Sequence, residues 1–407
     1  MHQDAPRVHF FTVTSSQLSM TDDHVMEVLM SASSPTSLFP NLRRLHWLDD
    51  REYFFPLLCT FLGSTITSIR ELDGVCVGDS AESADATHKV LSGLRELSCL
   101  HTGTLSPQEF LRLASLLALK SLYFRLNTHE VQSNSTPAII PQLDQVHLTV
   151  SMQYITVAGH FFGSMRLTSC RSATVYTDYD DLSYDPEVLY DPLHILNLIV
   201  SLSECLSPAL EKLDIELEYD LAFIRGDIAN RSYALGFNLE LFHFGGAAGW
   251  LVSPSMTFTA LVHLIQHCLR LHAVRMSFYA TPVDYDNNPF FFETIPNEKI
   301  TMLSVVMSPI SGPCAVAYML LRLLPKLERV DFCRWLLRDA PVPPLFKQSD
   351  DDWIVVNEIL AAKNKIGNDR LWTYCGYVLR TGRARLTKVG TEQRIGYNSS
   401  LQFVDIS

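Results

Sequence analysis

Histidines 263 and 267 in "HLIQH" stand at i and i+4, which places both imidazoles on one face of a helix. A zinc protease of that spacing needs Glu after the first His, and this chain has Leu264 there. The pair therefore reads as two ordinary helix residues. The run "DYDDLSYDPEVL" opens with five acidic residues in ten positions, a density that could draw a cation. A calcium loop would need an oxygen ligand at 182 and Gly at 183, where Leu182 and Ser183 stand. It reads as a solvated acidic loop. "GGAAG" at 245–249 follows the strand-like "LELFHF" but has neither phosphate-loop spacing, so it reads as a turn. The aromatic run Phe290–Phe292 reads as core with one exposed edge. There is no G-x-S-x-G elbow and no cysteine in a protease context. The expectation is a chain with no catalytic residue, no metal site and no cofactor.

The totals narrow the class further. The 407 residues are 47% hydrophobic and 19% charged, enough apolar surface for a large core. A net charge of −12 argues against nucleic acid as the main partner, because phosphate contacts need clustered Lys and Arg. No apolar window is long enough for a membrane span. The opening "MHQDAPRVHFFTV" lacks a basic segment followed by an apolar run. Nine cysteines, odd in number and without a C-x-x-C pair, fit reduced thiols in an intracellular protein, cytoplasmic or nuclear. The sequons at Asn134, Asn230 and Asn398 are then chance matches.

What the elements offer is a repeat. "LFPNLRRLHW" at 38–47 returns as "LSPALEKLDIEL" at 206–217 and "LPKLERVDFCRW" at 324–335. Centring each phrase on an apolar residue gives Leu45, Ile69, Leu97, Leu122, Val146, Ala173, Leu213, Leu241, Val274, Leu303 and Val330, with a partial copy at Val8. The steps run from 24 to 40 residues. Apolar and polar residues alternate within each phrase, as a strand with one buried face requires. Between phrases lie helical segments. In "SPQEFLRLASLLAL", Ser106 is the N-cap, Pro107 the first helical residue and Glu109 the partner in a capping box. Phe110, Leu113, Ala114 and Leu117 then form its apolar stripe. "DDHVMEVLM", "REYFFPLLCTFLG", "PLHILNLIVSLSECL" and "TFTALVHLIQHCL" repeat the theme.

One strand and one helix per repeat predict an α/β leucine-rich-repeat solenoid, a horseshoe. Its concave face would be a parallel sheet of about 11–12 short strands, with helices on the convex face. A doubly wound sheet also alternates the two elements, but it would not repeat one strand phrase. Residues 1–337 would hold degenerate repeats, and 338–361 a break followed by a capping helix. Residues 362–407 would be a basic tail or cap: eight Lys or Arg against three Asp or Glu give it about +5. The 40-residue step carries the insertion "DYDDLSYDPEVLYDP".

"LFPNLRRLHW" followed by "FFPLLCTFLGSTITSI" resembles the repeat region of the F-box and leucine-rich-repeat family of mushroom-forming (basidiomycete) fungi, over residues 6–337. The resemblance implies a non-enzymatic domain that presents target proteins to a cullin-based ubiquitin ligase. Members of that family carry an apolar N-terminal F-box with an "LP-x-E-[IV]" opening. Here a strand phrase begins within ten residues of Met1, so the expectation is a recognition part lacking its F-box. The alternative is a free-standing scaffold or decoy binder with no ligase link. In both, an unknown target protein would meet the polar residues between the buried strand positions: Arg44, His46, Tyr123, Arg125, Asp214 and Glu216. No nucleic-acid or membrane partner is expected.

Overall fold

Two apolar residues three positions apart open every repeat of the chain. They are Val8 and Phe11, both partly buried, and then Leu42 and Leu45, Ile69 and Leu72, Leu97 and Leu100, Leu119 and Leu122, and so on to Leu327 and Val330, all of these buried. The computed structural model describes residues 8–14, 41–48, 68–75, 91–126, 137–178, 192–206, 208–217, 238–245, 256–280, 294–306, 308–332 and 344–366. The first apolar residue of each pair closes the core beneath the incoming turn. The second is the centre of a short strand.

Twelve such strands form one parallel sheet: β1 (Phe10–Thr14), β2 (Arg44–Leu48), β3 (Glu71–Val75), β4 (Cys99–Leu105), β5 (Ser121–Leu126), β7 (Gln145–Ser151), β9 (Ser172–Asp178), β10 (Lys212–Leu217), β11 (Leu241–Phe244), β12 (Ala273–Met276), β13 (Met302–Val306) and β14 (Arg329–Phe332). Each pairs with the next in sequence, which is the order of a solenoid. A second, two-stranded parallel sheet joins β6 (Ala138–Ile140) to β8 (Met165–Leu167).

The turn before each strand sets the register. In the first nine repeats one carbonyl accepts two N–H groups from the following repeat. Arg43 O takes the N–H groups of Arg70 and Glu71, Lys120 O those of Asp144 and Gln145, and Glu211 O those of Glu240 and Leu241, at 2.8–3.1 Å. Rungs of this kind run from His9 O to Glu240 O. They satisfy the backbone where the chain turns and hold each strand level with its neighbour.

This register corrects four strand centres expected from the sequence. Phe11, Leu72, Leu100 and Phe242 pair with the centres of neighbouring strands, in place of Val8, Ile69, Leu97 and Leu241. Ile69 and Leu97 are equally buried, so polarity does not say which apolar residue of a pair carries the strand. Ala173, in a phrase with little apolar character, does sit level with Val146 and Leu213.

The core lies between the sheet and the helices behind it. Helix α1 (Pro107–Ala114) begins at Ser106, whose hydroxyl accepts the Glu109 N–H at 3.3 Å while Glu109 Oε2 accepts the Ser106 N–H at 2.7 Å. Phe110, Leu113 and Ala114 are buried. The helix stops at Ser115, so Leu117 is 88% exposed and is not part of the stripe. Helices α2 (Ile155–Gly163) and α3 (Pro192–Cys205) follow β7 and β9. Helices α4 (Phe258–His267) and α5 (Pro313–Leu323) follow β11 and β13. A long helix, α6 (Pro344–Ile366), packs against α5 and β14 through Trp353, Val356, Ile359 and Leu360. It runs through position 362, where the sequence reading placed the start of the tail. Ala362 is buried and Lys363 Nζ donates to the Pro325 carbonyl. Among the described residues no helix is long and apolar enough to cross a membrane.

Candidate protein-recognition face

Because strand side chains alternate, the residues on either side of each buried centre point away from the core. Level strands line these residues up into columns across the sheet. The column just before the centre holds Arg44, Glu71 and Cys99 on β2, β3 and β4. Arg44 Nε lies 3.0 Å from Glu71 Oε2, a pair bridging two strands.

The column just after the centre carries most of the polar chemistry. His46 Nδ1 lies 3.8 Å from Asp73 Oδ2, and His101 Nδ1 lies 3.5 Å from Asp73 Oδ1. His101 stacks on Tyr123 with ring centroids 3.8 Å apart, and Tyr123 stacks on His147 at 5.3 Å. On the N-terminal side Phe10 meets the His46 ring edge-on at 4.8 Å. After Thr174 the column resumes with Asp214, whose Oδ2 lies 3.6 Å from His243 Nδ1, and then Arg275. Of its twelve members four are histidine, in a chain of 407 residues that holds 14. Chance would place fewer than one.

A third column holds Arg125, Thr149, Tyr176 and Glu216. Arg125 reaches past β7 to Asp178 at the end of β9. Nη1 lies 3.0 Å from Oδ2 and Nη2 3.1 Å from Oδ1, a two-pronged guanidinium–carboxylate pair.

The environment of the face tunes several groups. Burial pushes the His147 imidazole below its usual value, aided by His101 and Lys212 and opposed by Asp214. Burial alone would raise Asp214. The His243 hydrogen bond and the charges of His243, Lys212 and Arg275 outweigh it and hold the carboxyl low. Burial, then Cys99 and Glu71, raise the Tyr123 phenol. The Cys99 thiol is raised to about 11, by burial first and then by Glu71 and Asp73. Across the described strands this face carries Arg44, Arg125, Lys212, Arg275 and Arg329 against Glu71, Asp73, Asp178, Asp214, Glu216 and Asp331. Five cations against six anions leave it near balance.

All six residues singled out in the sequence lie on this face, yet not in one cluster. Arg44 and His46 stand on β2, Tyr123 and Arg125 on β5, Asp214 and Glu216 on β10. Each pair is three strands from the next, or about 14 Å at the usual strand spacing. Asp73, His101 and His147, which lie between these pairs, and His243, which extends the column past Asp214, were not singled out. For Asp73, His101 and His243 the displaced strand centres concealed the signal. With Ile69, Leu97 and Leu241 as centres, the residues that follow are Arg70, Ser98 and Phe242. His147 follows a correctly placed centre and was open to the same reasoning.

The other motifs lie elsewhere. His263 and His267 sit on the back helix α4 with ring centroids 6.5 Å apart. Burial and the neighbouring His267 lower the His263 imidazole. Gly245 ends the β11 region with φ 106°, a left-handed turn conformation that favours glycine. The rest of "GGAAG", the acidic run beyond Asp178 and Phe290–Phe292 lie outside the described residues.

No protein-family model matches the chain, and no curated protein matches it. Among solved structures, a crystal structure of a Bacteroides fragilis protein, determined as a structural-genomics target, is similar at a TM-score of 0.36 and 11% identity. The match covers 80% of this chain and 74% of that one.

Proposed function

We propose that the chain is a non-enzymatic protein-recognition domain, the target-binding part of a ubiquitin-ligase adaptor of the F-box and leucine-rich-repeat kind. The observation that carries this reading is the open sheet face. Twelve level strands present columns of largely polar and aromatic side chains, interrupted by Leu241, Ala273 and Met302 in the column before the centres, with the main core on the other side. A broad, stiff surface of that kind suits a macromolecule better than a small substrate. The described cysteines favour a structural role over nucleophilic chemistry. Burial raises the thiols of Cys170, Cys205 and Cys268 to about 12, far from the thiolate a nucleophile needs.

The test replaces Tyr123 or Lys212 on the open face, and separately Leu117 or Ile139 behind it, with a photo-reactive residue. A target should cross-link from the first two positions and not from the second two. The reverse pattern would overturn the recognition face. With an F-box grafted before residue 6, ubiquitination of the cross-linked target would support the adaptor, and a target captured but left unmodified would favour a free-standing scaffold.

A further inference from the structure

The large sheet ends in two edge strands, and the two are treated differently. At β14, helix α6 lies against the strand, and Asn357 both donates to and accepts from the Val330 backbone. The strand at the other edge is β1. There His9 O accepts the Arg43 and Arg44 N–H groups at 2.9 and 3.1 Å, so His9 faces β2. Alternate residues of a parallel strand turn their backbone groups to the same neighbour. Phe11 and Val13 therefore face β2, and Phe10, Thr12 and Thr14 face away from it. Among the described residues nothing pairs with the outward N–H and C=O groups of these three.

The strand itself does nothing to discourage a partner. Natural edge strands are commonly guarded by Lys, Pro or a bulge. Phe10–Thr14 reads FFTVT, without charge or proline, and it pairs with β2 in unbroken register. Phe10 is 52% exposed even though its ring meets His46 edge-on.

The edge also matches itself. Two β1 strands related by a twofold axis run antiparallel. With the axis through Thr12, each outward N–H meets an outward C=O. On the open face Thr12 then stands opposite Thr12 of the second copy, and Phe10 opposite its Thr14. Threonine with threonine and aromatic with β-branched are favourable cross-strand pairs. A head-to-tail join would need the β14 edge, which Asn357 occupies, so the contact closes at two copies. We propose that two copies of the chain join through their β1 edges, antiparallel about Thr12, into a dimer whose large sheets run on as one. The two open faces then lie side by side, and a target with two matching sites would be held at both at once.

Sedimentation velocity on the full chain, from about 1 to about 100 µM, should show monomer giving way to dimer and to nothing larger. Thr12→Lys sets two like charges opposite each other across the axis and should weaken the dimer at least about tenfold. Thr12→Glu should do the same. Mixing the two variants should restore the dimer, because the opposed charges then attract. Thr12→Pro removes an N–H that β2 does not use and should also leave monomer. Melting curves matching the wild type confirm each fold, and if one variant fails to fold the others read the same contact. Monomer at every concentration, a dimer indifferent to these substitutions, or no dimer in the mixture would overturn the proposal, as would growth past two copies. The cross-linking test of the open face does not depend on association, so a failure here leaves the recognition reading standing.

Discussion

Asn357 stands in for a thirteenth strand: its Nδ2 donates to the Val330 carbonyl at 2.8 Å, and its Oδ1 accepts the Val330 N–H at 2.7 Å. Val330 is the centre of β14, the last strand of the sheet order. An unpaired strand edge would leave these groups without partners or open to another chain. Helix α6 also inserts Trp353, 1% exposed, whose Nε1 donates to the Ser308 carbonyl at 2.8 Å. The helix thus closes the end of the solenoid in both hydrogen bonding and apolar burial, as a stack of repeats requires.

Asn357→Ala should lower stability by about 2–6 kcal/mol, because it orphans two backbone groups at roughly 1–3 kcal/mol each. Trp353→Ala should cost about 3–5 kcal/mol through its cavity, and Trp353→Phe distinctly less. Urea unfolding measures all three. Wild-type stability in the Asn357 variant would show that water satisfies the edge equally well.

Adjacent residues in one strand should behave oppositely. Leu213 is fully buried, so Leu213→Asp places an uncompensated charge in the core and should cost several kcal/mol. Asp214→Ala should cost about 1 kcal/mol or less, since its partners are surface pairs. In β11 the corrected register predicts about 3–5 kcal/mol for Phe242→Ala and under about 1 kcal/mol for Leu241→Ala. Reversed magnitudes in β11 would restore the register read from the sequence.

Thiol labelling should discriminate among the described cysteines. Cys170, Cys205 and Cys268 are buried with thiols raised to about 12, so alkylation at pH 8 should reach them only on unfolding. Cys99 is partly exposed with its thiol at about 11, and it should react slowly in the native protein. Mass spectrometry after a timed pulse of iodoacetamide reads the order. Rapid native labelling of Cys170 would show that its repeat opens.

Acid should weaken the fold through partly buried imidazoles. His147 and His263 have folded-state values depressed below 6.5, so the unfolded chain binds protons first as pH falls. Their stabilising contribution is complete above pH 6.5 and is lost as pH drops through the folded value. The melting temperature should therefore fall between pH 7.5 and 5.5, and less steeply in His147→Gln. Parallel curves for the two proteins would exclude His147 as a source.

The repeat and the class of fold were determined by the sequence alone, for a local reason. Each repeat must bury one side of a short strand, so apolar and polar residues alternate within six positions, and the phrase shows wherever it recurs. Which residues face outward within a strand follows from the same alternation, and this is why Arg44, Tyr123 and Asp214 were legible. Register is a different kind of information. It is held by hydrogen bonds between residues 22 to 41 positions apart, and from Leu42 onward both apolar residues of each pair are buried. Polarity therefore allowed Ile69 or Leu72, and Leu97 or Leu100, as strand centres. Only the stacked structure chose, and with that choice Asp73 moved between His46 and His101, and His243 came to face Asp214. Two more relationships belong wholly to the tertiary structure. Arg125 and Asp178 are 53 residues apart, and Asn357 and Val330 are 27 apart. No periodicity joins either pair, because each forms only where the side-by-side packing of strands in the stack, or its end, brings distant side chains within reach.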